Sequence, residues 1–79
     1  MDQKLKIILL EVFSLTEKEF NETLTKNDIT SWDSLKHMDL ITTLEKEYQI
    51  NLEMQEILNM LSIQEIIKTL KNKGVKFEK

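Results

Sequence analysis

The sequence predicts an all-α fold, a bundle of four helices with a long loop between helices I and II and a short helix III. Three observations predict it. The 79 residues include one Gly and no Pro, so the chain lacks the residues that tight β-turns most often use. Leu, Ile, Lys and Glu dominate, a composition that favours helix. Apolar residues then recur at the i, i+3, i+4 spacing of a buried helical face in one stretch after another.

Asp2 is placed to cap helix I, in which Leu5, Ile8, Leu9, Val12 and Phe13 form one apolar stripe. From residue 16 to 33 the periodicity lapses and Thr, Asn, Asp and Ser collect, with Phe20, Leu24 and Ile29 spaced to pin a long loop to the bundle. A structureless loop of this length in so small a domain points to function. Asp33 caps helix II, which runs to about Tyr48; Leu40, Ile41, Leu44 and Tyr48 gather within roughly 100° of its circumference and face the core. Leu35 and Met38 fall on a different side, and with Asp39 and Thr42 they are the candidate partner-contact residues.

After Ile50 and Leu52, a short helix III is expected to carry Met54, Ile57, Leu58 and Leu61. Ser62-Ile63-Gln64-Glu65 then reads as a capping box that opens helix IV, whose buried face is Ile63, Ile66, Ile67 and Leu70. Lys68, Lys71 and Lys73 complement the negative end of its dipole, and Gly74 supplies a left-handed stop. One domain over residues 1–79 accommodates all of these elements.

A net charge of −3 with 32% charged residues gives a mildly acidic surface that repels nucleic-acid phosphates and anionic lipid. The lysines are interleaved with glutamates, and no aromatic set is present on which bases would stack. Without Cys, the chain has neither a disulfide framework nor a thiolate metal site, and any thiol chemistry must come from an attached group. Nothing reads as a secretory signal, and the apolar run at residues 7–10 is too short for a membrane span, so a cytoplasmic location without membrane insertion is expected. So small a domain has little room for a core plus an enclosed active site, which disfavours an autonomous enzyme. A hydrolase with Ser34 as nucleophile and His37 one turn away lacks an oxyanion-hole Gly and a strand-to-helix elbow.

A serine directly after a helix N-cap, at the end of a long loop, has an exposed hydroxyl, and a phosphate attached there meets unpaired backbone N–H groups and the positive end of the dipole. Ser34 is such a residue, and Asp33 beside it offers a carboxylate that suits Mg²⁺. Asp-Ser pairs are also ordinary helix caps. The wider string is Ser31-Trp32-Asp33-Ser34-Leu35, followed by Met38, Leu40, Ile41, Leu44-Glu45, Tyr48 and Ile50. It resembles the acyl carrier protein family, whose attachment motif is Asp-Ser-Leu, and the resemblance extends over the whole chain.

The resemblance implies a right-handed, acyl-carrier-protein-like four-helix bundle. It implies a 4′-phosphopantetheine group, drawn from coenzyme A and joined covalently to Ser34 by a phosphopantetheinyl transferase with Mg²⁺, Asp33 supporting the attachment. The cofactor then supplies the thiol. On this reading the chain has no catalytic residue and no resident metal. It is a monomer and a substrate of acyl-loading and acyl-processing enzymes, carrying thioester-bound intermediates of fatty-acid or more specialised, polyketide-like biosynthesis. Leu40, Ile41, Leu44, Leu52, Met60 and Ile67 would border the space in which family members shelter an acyl chain; ordinary core is their other reading.

Three positions depart from the family pattern. Lys36 follows the Asp-Ser-Leu triplet where fatty-acid carriers have an acidic residue, and Lys46 also lies on the outer face, so Asp39 and Glu47 steer basic partners less strongly. Ser31 stands two before the serine in place of the common Gly, a combination with Trp32 that points to a dedicated pathway. Trp32 either packs on helix II or flanks the pantetheine arm, and packing is favoured because an indole offers much apolar area and needs one hydrogen bond. His37 is expected as a structural histidine, since a general base needs a substrate and an orienting partner and the sequence supplies neither. Two other readings stay open: an unmodified protein-interaction bundle, which does not require Ser34, and a carrier of aminoacyl rather than acyl groups.

Overall fold

Three of the four helices begin on a side chain that takes up one of their unpaired N–H groups. In the computed structural model, which describes residues 1–77, α1 spans Gln3–Phe13 and Asp2 accepts the Leu5 N–H at 3.1 Å. Residues 78 and 79 of the expected domain lie outside the described residues. Helix α2 spans Ser34–Tyr48, and Asp33 Oδ1 accepts the Lys36 N–H at 2.8 Å. Helix α4 spans Ile63–Asn72, where Ser62 Oγ accepts the Glu65 N–H at 3.1 Å, the Ser62 half of the expected box. The short α3, Met54–Asn59, follows Glu53, whose own N–H donates to Glu56 Oε1 at 2.9 Å. Past α4, Gly74 adopts φ 92°, the left-handed stop that a residue with a Cβ resists.

The architecture is all-helical as predicted, with residues 14–33 linking α1 to α2. That loop is irregular but tied down, by the expected Phe20, Leu24 and Ile29 side chains and also by backbone bonds that its sequence did not reveal. Thr25 and Ser62 form an isolated antiparallel bridge, Lys26 N–H donates to Leu61 O at 2.8 Å, and Ile63 N–H donates to Leu24 O at 3.1 Å. The Leu61 N–H turns back to Asn59 O at 2.9 Å rather than to Ile57 O, so α3 ends at Asn59 and Leu61 lies beyond it rather than within it. Met54, Leu58 and Leu61 are exposed, and of the four apolar residues expected in helix III only Ile57 packs against the core.

One apolar cluster holds the helices together: Leu5, Ile8, Leu9 and Phe13 from α1, Leu40, Ile41 and Leu44 from α2, and Ile63, Ile66 and Leu70 from α4. Ile29, Trp32, Leu52 and Met60 complete it from the connecting segments. Val12, Tyr48 and Ile67 lie half-buried at its margin, and so do the loop residues Phe20 and Leu24. Helices α1 and α2 run antiparallel. The Ser31 hydroxyl, just ahead of α2, donates to Phe13 O at the end of α1 (2.8 Å), and at the other end Lys4 Nζ donates to Glu47 O (2.9 Å). Among the described residues no helix is long and apolar enough to cross a membrane.

Tyr48 closes the end of the bundle farthest from Ser34, with Lys4 Nζ 4.7 Å from its ring centroid and Phe77 edge-on to it. Burial, followed by the nearby Asp2 carboxylate, pushes its phenol up to about 12. An unfolded tyrosine ionises near 10, so between these values the folded chain holds a proton that the unfolded chain has lost, and stability falls as pH rises. Tyr48 is the single tyrosine, so absorbance at alkaline pH should report its midpoint directly, near 12; a midpoint near 10 would place the phenol in solvent. Tyr48→Phe should remove this alkaline loss of stability. In chemical denaturation, Leu44→Ala should cost about 2–5 kcal/mol because its side chain is fully enclosed. Leu35→Ala should stay within about 0.5 kcal/mol.

Candidate functional site

The loop delivers Ser34 to the surface through a rigid last segment. Trp32 is 3% exposed, with its ring 4.5 Å from that of Phe13, so the indole is a wedge between the end of α1 and the start of α2. Ser31, one residue earlier, spends its hydroxyl on Phe13 O, an end-of-helix carbonyl without an intrahelical donor. Trp32 N–H donates to Ile29 O at 3.0 Å, and Ile29 is itself buried. Asp33 then caps α2 and Ser34, its first residue, is exposed. The chain is anchored for several residues before the serine, while the serine itself is presented to solvent.

The indole N–H needs an acceptor once buried, and it has one: Trp32 Nε1 donates to His37 Nδ1 at 3.0 Å. Because an indole nitrogen only donates, His37 Nδ1 must be the accepting nitrogen and Nε2 must carry the proton. Nε2 then donates to Ile57 O at 2.8 Å. His37 therefore does have an orienting partner, contrary to the sequence expectation. Both ring nitrogens are engaged within the fold, which makes it the structural histidine that was expected and leaves no lone pair for a general base.

The four candidate partner-contact residues all face solvent. Leu35 is 74% and Met38 50% exposed, and Asp39 and Thr42 are exposed beside them. Helix α3 is fastened along the same helix at two points. Glu45 Oε2 accepts the Leu52 N–H at 2.9 Å ahead of it, and His37 grips Ile57 near its end. It thus runs antiparallel to α2, and its Met54 and Leu58 side chains are exposed.

Five of the six acyl-pocket candidates, Leu40, Ile41, Leu44, Leu52 and Met60, belong to the packed core. Ile67 departs from the set. It is half-buried and lines a groove of about 320 Å³ with Met1, Leu5, Val75 and Phe77 at the start of α1, the end of the bundle opposite Ser34. Helical spacing placed it on the α4 stripe but could not tell the centre of that stripe from its edge. The polar ties of Ser31, Trp32 and His37 were missed because they join residues whose partners lie on other elements. The one available signal was a Trp five residues ahead of the only His.

No protein-family model matches the chain, and no curated protein matches it. Among the described residues, no group of three or more His, Cys, Asp or Glu side chains is arranged to hold a metal ion.

Ser34→Ala should leave the melting temperature nearly unchanged, since Asp33 and not Ser34 caps α2. Met38→Glu should likewise shift stability by no more than about 0.5 kcal/mol. A collapse in the thermal melt of either variant would show that its side chain belongs to the packing rather than to the presented surface.

Proposed function

We propose that the chain is an acyl carrier protein whose Ser34 bears a 4′-phosphopantetheine arm. The observation that carries the reading is the contrast at one point of the chain: an exposed serine hydroxyl opens α2, directly behind a segment immobilised by the buried Trp32. An anchor for a swinging group needs both properties, a reachable oxygen and a fixed base. Ser34 would hold the phosphate as a phosphodiester, its charge favoured by the N–H groups and positive dipole of the first turn. Asp33 would stand beside it, with one carboxylate oxygen committed to the Lys36 N–H. When bound, the cofactor supplies a thiol, which a chain without Cys does not possess.

On this reading the protein is no enzyme but a cytoplasmic, monomeric substrate of others. A phosphopantetheinyl transferase would install the arm from coenzyme A with Mg²⁺, and acyl-loading and acyl-processing enzymes would use the thioester, in fatty-acid or more specialised biosynthesis. Leu35, Met38, Asp39 and Thr42 would meet those partners. Leu40, Ile41, Leu44, Leu52 and Met60 would give way to an acyl chain only by opening the core that they now fill. The exposed Leu35 and Met38 also favour a second reading, a helical bundle that binds a protein partner without modification.

Incubation with a promiscuous phosphopantetheinyl transferase, coenzyme A and Mg²⁺, followed by intact-protein mass, separates the two. The wild type should gain one phosphopantetheine and Ser34→Ala none. A wild-type chain that stays folded and unmodified would leave the interaction bundle as the better reading.

A further inference from the structure

We propose that His37 is a positioning residue, the latch that holds α3 against α2 beside Ser34. Helix α3 has six residues and none of them is buried. It is pinned from outside by its flanking apolar side chains, Leu52 before it and Met60 after it. Between those pins, the half-buried Ile57 side chain and two polar contacts hold it: the Glu56–Lys73 ion pair at 2.8 Å and the bond from His37 Nε2 to Ile57 O.

The carbonyl of Ile57 is where a donor is needed. It lies in the last turn of α3, where carbonyls run out of intrahelical partners. The Leu61 N–H, four residues on, is taken by Asn59 O at 2.9 Å, and the Met60 N–H reaches Ile57 O only at 3.3 Å. The proton on His37 Nε2 fills the gap, and the buried Trp32 indole N–H keeps it there by claiming Nδ1. The segment that ends at Ser34 thus dictates the tautomer of a residue on α2, and that tautomer holds α3. A helix with no buried side chain belongs to the least stable part of a fold, so one hydrogen bond decides much of its position. The consequence for transfer rests on the carrier reading: an enzyme that reaches Ser34 meets the adjoining surface of α2 and α3 as one body.

Two substitutions divide the ring between them. His37→Gln places a donor nitrogen near the Nε2 position, whereas His37→Asn places its polar atoms near Nδ1 and loses the reach to Ile57. Amide exchange across residues 54–59 should stay within about twofold of wild type in His37→Gln. It should rise roughly three- to tenfold in His37→Asn, the size of one lost hydrogen bond. Trp32→Phe, which keeps an aromatic ring against Phe13 but frees the tautomer, should raise exchange in the same segment with His37 in place. Equal exchange in the Gln and Asn variants, or wild-type exchange in His37→Asn, would overturn the latch. With the transferase and coenzyme A as probes, His37→Asn should raise the KM for the chain several-fold at nearly constant kcat, and His37→Gln should restore it. A fall in kcat alone would contradict a positioning role. Failure of the wild type to be modified would overturn the carrier reading instead, while the exchange data still judge the latch.

Discussion

The burial of Trp32 is the constraint on which the arrangement near Ser34 depends. An indole placed in a core brings a large apolar area and one N–H that must be satisfied. Here the area is spent on Phe13 and the N–H on His37, so one side chain joins the end of α1, the loop and the first turn of α2. Everything adjacent inherits that fixation. Asp33 is held where it caps α2, Ser34 is turned outward, and His37 is left with a single way to orient its remaining proton. A loop of polar residues has many conformations to lose on folding, and this one loses them at the end that leads to Ser34 through an aromatic wedge backed by hydrogen bonds.

The helices divide their labour unequally. α1, α2 and α4 supply the buried side chains, and their stability comes from apolar burial. α3 supplies no fully buried side chain, and directional contacts to Glu45, His37 and Lys73 hold most of it. Glu56 lies well placed for this, its carboxyl lowered by the Glu53 backbone N–H and then by the Lys73 ammonium, whose own ionisation is raised in return. Apolar packing resists gradual deformation, whereas a few polar contacts give a position that is defined yet separable. The fold therefore places its most adjustable element beside the residue that it presents.

Periodicity made the four helices legible, because a stripe such as Leu40, Ile41 and Leu44 has to face a core wherever it occurs. Caps were legible for the same local reason: Asp2, Asp33 and Ser62 each act within three residues of themselves. The exposure of Ser34, Leu35 and Met38 followed from their position on the helix. What sequence could not supply was contact between distant segments. Helix III ended at Asn59, short of the expected Leu61, beside a bridge of Thr25 to Ser62, and Ile67 took the edge of a stripe rather than its centre. His37 was read as structural without a named partner, since hydrogen bonds to Trp32 and to a backbone carbonyl twenty residues on leave no periodic trace.

The central claim, that Trp32 and His37 fix the approach to Ser34, is tested most directly by long-range ¹H–¹⁵N correlation on the imidazole at neutral pH, read together with solvent exchange of the Trp32 indole proton. The structure predicts Nε2 donating and Nδ1 accepting, and an indole proton protected from exchange. A ring protonated at Nδ1, or an indole proton exchanging as freely as in an unfolded chain, would contradict it.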